Sequence, residues 1–154
     1  MRKRGANFRH RNATIPGLIA QSARPEYETR LRLAVDSFRD GWTTASQFDD
    51  LADTIDMLRI GLKSYAGQKP DPSTEAAVEI AWEALMSVRQ RYLDKGKFGA
   101  TGEEFKAIKL LSEVSLDYWN RRSGALFAFA CQQLKEVRLE QHRKFKEEQE
   151  RKAA

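Results

Sequence analysis

The chain reads as an all-α protein: a four- or five-helix bundle with a flexible basic N-terminal arm and a charged C-terminal helical tail. Three observations predict this. Apolar residues recur at three- and four-residue spacing in successive segments, and no segment alternates with period two over strand length. Glycine, proline and capping signatures separate the segments by short links, which favour antiparallel neighbours. The excess positive charge lies at one end: residues 1–25 hold six Lys/Arg (Arg2, Lys3, Arg4, Arg9, Arg11, Arg24) and no acid, whereas the rest holds 21 basic and 22 acidic residues. A polycationic arm on a nearly neutral body is the expected organisation. The 154 residues suit one domain. It divides into an arm over 1–24, a bundle over 25–139 and a tail over 140–154.

The arm carries Gly5, Asn7, Asn12, Pro16 and Gly17 and lacks helical periodicity. The first helix is expected to start at Pro25, because a first helical position needs no backbone donor. Tyr27, Leu31, Ala34, Val35 and Phe38 then form one apolar stripe, ended by Gly41. Thr44-x-x-Gln47 reads as a capping box. It opens a second stripe of Phe48, Leu51, Ile55, Leu58 and Leu62, with Asp49, Asp50, Asp53 and Asp56 expected mostly on the wet side.

Gly67 to Pro72 is a link, in which Asp71 is suited to N-cap a helix with Pro72 at its first position. Val78, Ala81, Trp82, Leu85, Val88 and Tyr92 make the third stripe, stopped at Gly96. Thr101-x-x-Glu104 is a second capping box, followed by Phe105, Ile108, Ser112, Ser115, Leu116 and Trp119, with Leu111 at the edge of the face. Asn120 to Gly124 breaks the chain. A fifth helix follows with Leu126, Phe127, Ala130, Leu134 and Val137 inward. Beyond Leu139 the stripe fades into a fraying tail supported by i,i+4 pairs such as Glu140–Lys144.

The sequence argues against several kinds of chemistry. There is no phosphate-binding glycine loop, no dinucleotide turn and no His-Glu-x-x-His. One cysteine, Cys131, forms no internal disulfide, and in its apolar surroundings it is expected to be an inert buried thiol. His10 and His142 are dispersed, so no usual zinc site arises. The aspartates at 49, 50, 53 and 56 lack the tight loop that a hard metal needs. No apolar run approaches the ~20 residues that span a bilayer. The expectation is therefore a non-enzyme with no cofactor, no metal and no membrane partner, located in the cytoplasm.

Further motifs carry a resemblance. Met1-Arg2-Lys3-Arg4 opens the chain, and Phe48-Asp49-Asp50-Leu51 leads to Asp56-Met57-Leu58. Ala84-Leu85 precedes Arg89-x-Arg91. Gly96-Lys97-Phe98 precedes Thr101-Gly102-Glu103, Ala107 and Leu110, and Leu116-Asp117 follows. Over roughly residues 1–5 and 30–137, this pattern resembles small helical proteins encoded by phages, prophages and other mobile elements of proteobacteria, sometimes labelled Fis-type regulators. The resemblance implies a mobile-element origin and a bacterial host cytoplasm, and implies no activity. A Fis-like protein would end in a short helix-turn-helix. Here the helices flanking Asn120–Gly124 are long, and the segment after the break reads Leu126-Phe127-Ala128-Phe129-Ala130, which is no basic recognition helix.

The arm is the leading candidate site. Arg2, Lys3, Arg4, Arg9 and Arg11 are each able to neutralise a phosphate, and Phe8 to stack on a base or sugar. DNA or RNA is the expected partner. Arg89, Arg91, Arg121 and Arg122 are secondary basic spots, the last two placed against a helix dipole. Trp42, Trp82, Trp119 and Tyr118 are the candidates for a stacking platform, of which Trp82 and Trp119 lie on apolar stripes and are expected in the core. Trp42, in a link after Gly41, is the aromatic to try first as an anchor for a protein partner. That second reading is a protein-binding modulator of a host factor such as a defence system. The last stripe also leaves room for a homodimer.

Overall fold

The computed structural model describes residues 16–64 and 69–154, with side chains from residue 24 onward. The candidate arm residues Arg2, Lys3, Arg4, Phe8, Arg9 and Arg11 lie outside the described residues, as does Gly67 in the second link. The described residues form five helices and no strand: α1 Pro16–Asp40, α2 Ala45–Ser64, α3 Pro72–Lys95, α4 Gly102–Asn120 and α5 Gly124–Ala153.

Local chemistry sets most boundaries. Gly41 adopts φ 80°, and its N–H and that of Trp42 both close onto the Ser37 carbonyl, at 2.9 and 3.0 Å. A left-handed residue here ends α1 without a Cβ penalty. Gln47 accepts from the Thr44 N–H at 2.9 Å, while the Thr44 hydroxyl turns to the same side chain, so only half of that box forms. Asp71 caps α3 by accepting from the Thr74 N–H, with Pro72 at the start of the helix. Gly96 ends α3 at φ 71°. The Thr101–Glu104 box closes in both directions. Ser123 caps α5 through the Leu126 N–H at 3.2 Å.

The first helix departs from expectation. It begins at Pro16, and Pro25 lies inside it. Both prolines satisfy the first-position signature, so local reading does not separate them. Pro25 has no N–H for the carbonyl four residues back. Arg24 ties the segment down instead. Its Nη2 donates to the Trp119 carbonyl and, at 3.1 Å, to Asn120 Oδ1. Arg24 therefore belongs to the body rather than to a free arm.

Helix α2 is the hub, touching each of the other four helices. Leu51, Ile55 and Leu58 on α2 are fully buried against Leu31, Val78, Leu85, Val88, Ile108, Leu111 and Phe127. Each such side chain stabilises the fold by roughly 1.5–3 kcal/mol before chain entropy is counted. Leu111 is core rather than edge, and Val137 is 45% exposed rather than inward. Trp119 and Tyr118 are buried, and edge-to-face contacts link Tyr118 to Trp119 and Trp119 to Phe127, with centroids 4.9 and 5.2 Å apart. Tyr118 is thus unavailable as a stacking platform. Trp82 is only half-buried, with the Arg59 guanidinium 5.0 Å above its ring.

The aspartates of α2 do not all face water. Arg138 of α5 donates to Asp53 Oδ1 from Nε and Nη2, at 3.0 and 2.7 Å, and to Asp56 Oδ2 at 2.6 Å. This fork pins the midpoint of α5 to α2. Beyond it α5 continues unbroken to Ala153, and its last two turns lie exposed. Helix continuity therefore crosses the expected boundary at residue 140. Arg143 bridges Glu140 and Glu147 there, and Lys144 lies 3.9 Å from Glu140.

Candidate functional site

The helix order gives the bundle two ends. One gathers the start of α1, the end of α2, the start of α3, the end of α4 and the start of α5. Arg24 against Trp119 fixes α1 to α4 at this end, and Gly61 against Tyr118 and Trp119 fixes α2 to α4. Two links meet there: Lys69-Pro70-Asp71 ahead of α3, and Arg121-Arg122-Ser123 between α4 and α5. Between them lies a half-open cleft of about 460 Å³ lined by Lys69, Pro70, Asp71, Arg121, Arg122, Ser123 and Leu126.

Three cations and one carboxylate face this cleft. Burial opposes the charge on Asp71, yet hydrogen bonds from the Thr74 hydroxyl and N–H, with Arg121 and Arg122 nearby, hold its carboxyl below the ordinary range. Those bonds, at 2.8 and 3.2 Å, occupy both of its oxygens. Arg121 pairs with Asp117 at 2.8 Å and stays 3.9 Å from Asp71. Arg122 lies over the Tyr118 ring, 4.2 Å from its centroid, also 3.9 Å from Asp71. Its side chain is only 17% exposed. Lys63, in the last turn of α2, adds an exposed cation to the same end.

The other basic spots separate. Arg91 is a structural clamp: it donates to the Gly99 carbonyl at 2.6 Å and to both Glu104 oxygens at 2.9 and 3.2 Å. Burial works against the Glu104 charge, but the Thr101 N–H and Arg91 keep its carboxyl below the usual value. Arg89 stays exposed. Trp42 sits at the opposite end of the bundle, 45% exposed. Burial pushes the Cys131 thiol up to about 12, which keeps it protonated at neutral pH. Among the described residues, no group of three or more His, Cys, Asp or Glu is placed to hold a metal ion, and no helix is long and apolar enough to cross a membrane.

Sequence reasoning treated Arg121 and Arg122 as dipole partners and missed Lys69 altogether. One signal was available: Lys69 and Arg121-Arg122 each flank an N-cap residue, Asp71 and Ser123. Only folding brings the two links together. No family model, curated protein or solved structure matches the chain. The resemblance to mobile-element proteins stands on its quoted motifs alone.

Proposed function

We propose that this chain is a non-enzymatic accessory protein of a mobile element that binds nucleic acid through its basic N-terminal arm together with the basic end of the bundle. One observation supports the reading above others. The first helix, which continues from the basic N-terminal sequence, is tied by Arg24 to the end of the bundle that carries Lys63, Lys69, Arg121 and Arg122. Charges that are scattered in sequence thus share one end, where the basic leader meets the body. A phosphate backbone rewards such accumulation, because each neutralised phosphate releases condensed counterions. Arg2, Lys3, Arg4, Arg9 and Arg11 supply five contacts and Phe8 a stacking surface. Point charges carry no base information, so the reading is of backbone binding to DNA or RNA.

The test is fluorescence anisotropy with labelled duplex DNA, single-stranded DNA and RNA across a salt series. The arm alone gives a slope of log K against log salt of about −4.5 on duplex, and the arm with Lys69, Arg121 and Arg122 about −7. Deleting residues 2–11 should remove most of the affinity and flatten the slope. Unchanged affinity after that deletion defeats the reading.

A second reading, a protein-binding modulator of a host factor, draws on Trp42, whose exposed indole stands away from the basic end. It predicts a captured partner that survives nuclease and high salt and is lost in Trp42→Ala.

A further inference from the structure

We infer that the cleft between the two basic links is a discrete seat for the phosphate of a nucleotide unit, with Arg122 as its fork. The inference rests on the proposed nucleic-acid reading and adds the ligand group and the residues that hold it.

Arg122 is the residue that calls for a ligand. Its side chain is mostly buried, yet its guanidinium makes no hydrogen bond among the described residues. Packing against Tyr118 holds the plane of five donors in place without satisfying them. Asp71, the nearest carboxylate, stands 3.9 Å away and is engaged by Thr74. A guanidinium in this state suits a planar pair of anionic oxygens, which a phosphate presents. Lys69 makes no ion pair among the described residues and lies on the facing link. Arg121 faces the cleft while keeping Asp117 as its own partner.

The shape of the cleft narrows the ligand. Its 460 Å³ falls among sites that take small organic molecules and is generous for a lone ion. Pro70 and Leu126 add apolar wall beside the cations, suited to a sugar or base attached to the phosphate. The start of α5 contributes as well. Ser123, which lines the cleft, satisfies the Leu126 N–H, and the Gly124 and Ala125 N–H groups next in the chain have no intrahelical acceptor.

The experiment is a titration of the full-length, 15N-labelled chain, read at the Arg122 Nε–H and at the Ser123 and Gly124 amides. The probes are uridine 5′-monophosphate, uridine, sodium phosphate and a short single-stranded DNA. Saturable shifts with the monophosphate, none with uridine and weaker binding of inorganic phosphate are expected. Arg122→Gln should weaken the monophosphate about tenfold or more. Lys69→Gln, at an exposed link position where folding is not at issue, should weaken it severalfold.

Equal responses to uridine and its monophosphate, or full affinity in both variants, overturn the inference, and so does inorganic phosphate binding as tightly as the nucleotide. The two readings separate cleanly. DNA binding that is lost with residues 2–11 but produces no shift in the cleft defeats the seat and keeps the arm. A cleft that saturates with monophosphate in a chain that ignores DNA keeps the seat and defeats the nucleic-acid reading.

Discussion

Replacing Gly61 by alanine tests whether the α2–α4 crossing is as close as the geometry requires. A Cβ at Gly61 meets Tyr118 Oη at 2.8 Å, and Trp119 Cη2 and Tyr118 Cε1 at 3.0 Å. Non-bonded heavy atoms settle near 3.5 Å, so the two helices must part by about 0.7 Å. A gap of that size forfeits roughly a quarter to a half of each contact's attraction along the crossing. Both aromatic residues are buried, at 0% and 2% exposure, and Trp119 is held edge-to-face between Tyr118 and Phe127. Overpacking of this kind costs about 1–3 kcal/mol. Exchanging a helical glycine for alanine recovers about 1 kcal/mol in helix propensity. With two rigid rings opposing the new methyl the steric cost lies near its upper end, so the net loss is about 2 kcal/mol. In a chain of this size that lowers Tm by about 4–8 °C. Urea unfolding followed by far-ultraviolet circular dichroism measures it. Gly102→Ala is the control, since its Cβ meets nothing within 4 Å, and it should stay within about 0.5 kcal/mol of the parent. Tyr118→Phe removes the nearest opposing atom, so the double variant should be less destabilised than the sum of the singles. A Gly61→Ala protein as stable as the parent, or a strictly additive cycle, would refute the close crossing.

Other consequences follow from the same contacts. Arg138→Ala leaves Asp53 and Asp56 facing each other without their shared cation, and should cost about 1–3 kcal/mol in urea unfolding, allowing for partial solvent screening. Adding Asp53→Asn and Asp56→Asn should recover part of that loss. Asp71 and Glu104 both titrate below their ordinary values in the folded chain. The stability they contribute is present above the unfolded carboxylate range near 4 and is lost as pH falls through the lower folded values. Asp71→Asn and Glu104→Gln should therefore flatten the acid limb of stability against pH below about 4, and parallel acid limbs would count against those bonds. Cys131, pushed up to about 12, should react with a thiol-directed disulfide reagent at pH 8 orders of magnitude more slowly in the folded chain than in urea; equal rates would contradict its burial.

The amino-acid sequence by itself determined the helices and most of their ends. Asp71 with Pro72, Gly96, the Thr101–Glu104 box and the break before Gly124 are legible because a cap is chemistry between residues no more than about four apart. The start of α1 was ambiguous for the same reason: Pro16 and Pro25 carry one local signature, and the helix runs from the first through the second, held to the bundle by the Arg24 bond to Trp119, 95 residues away. Periodicity tells which face of a helix is apolar and is silent on which helix covers it. The fork from Arg138 to Asp53, the close approach at Gly61 and the meeting of Lys69 with Arg121 and Arg122 were therefore decided by tertiary packing alone. Charges read as solvated in a linear string became clamps or a cleft once α2 took the centre, because electrostatic partners are chosen by distance in space.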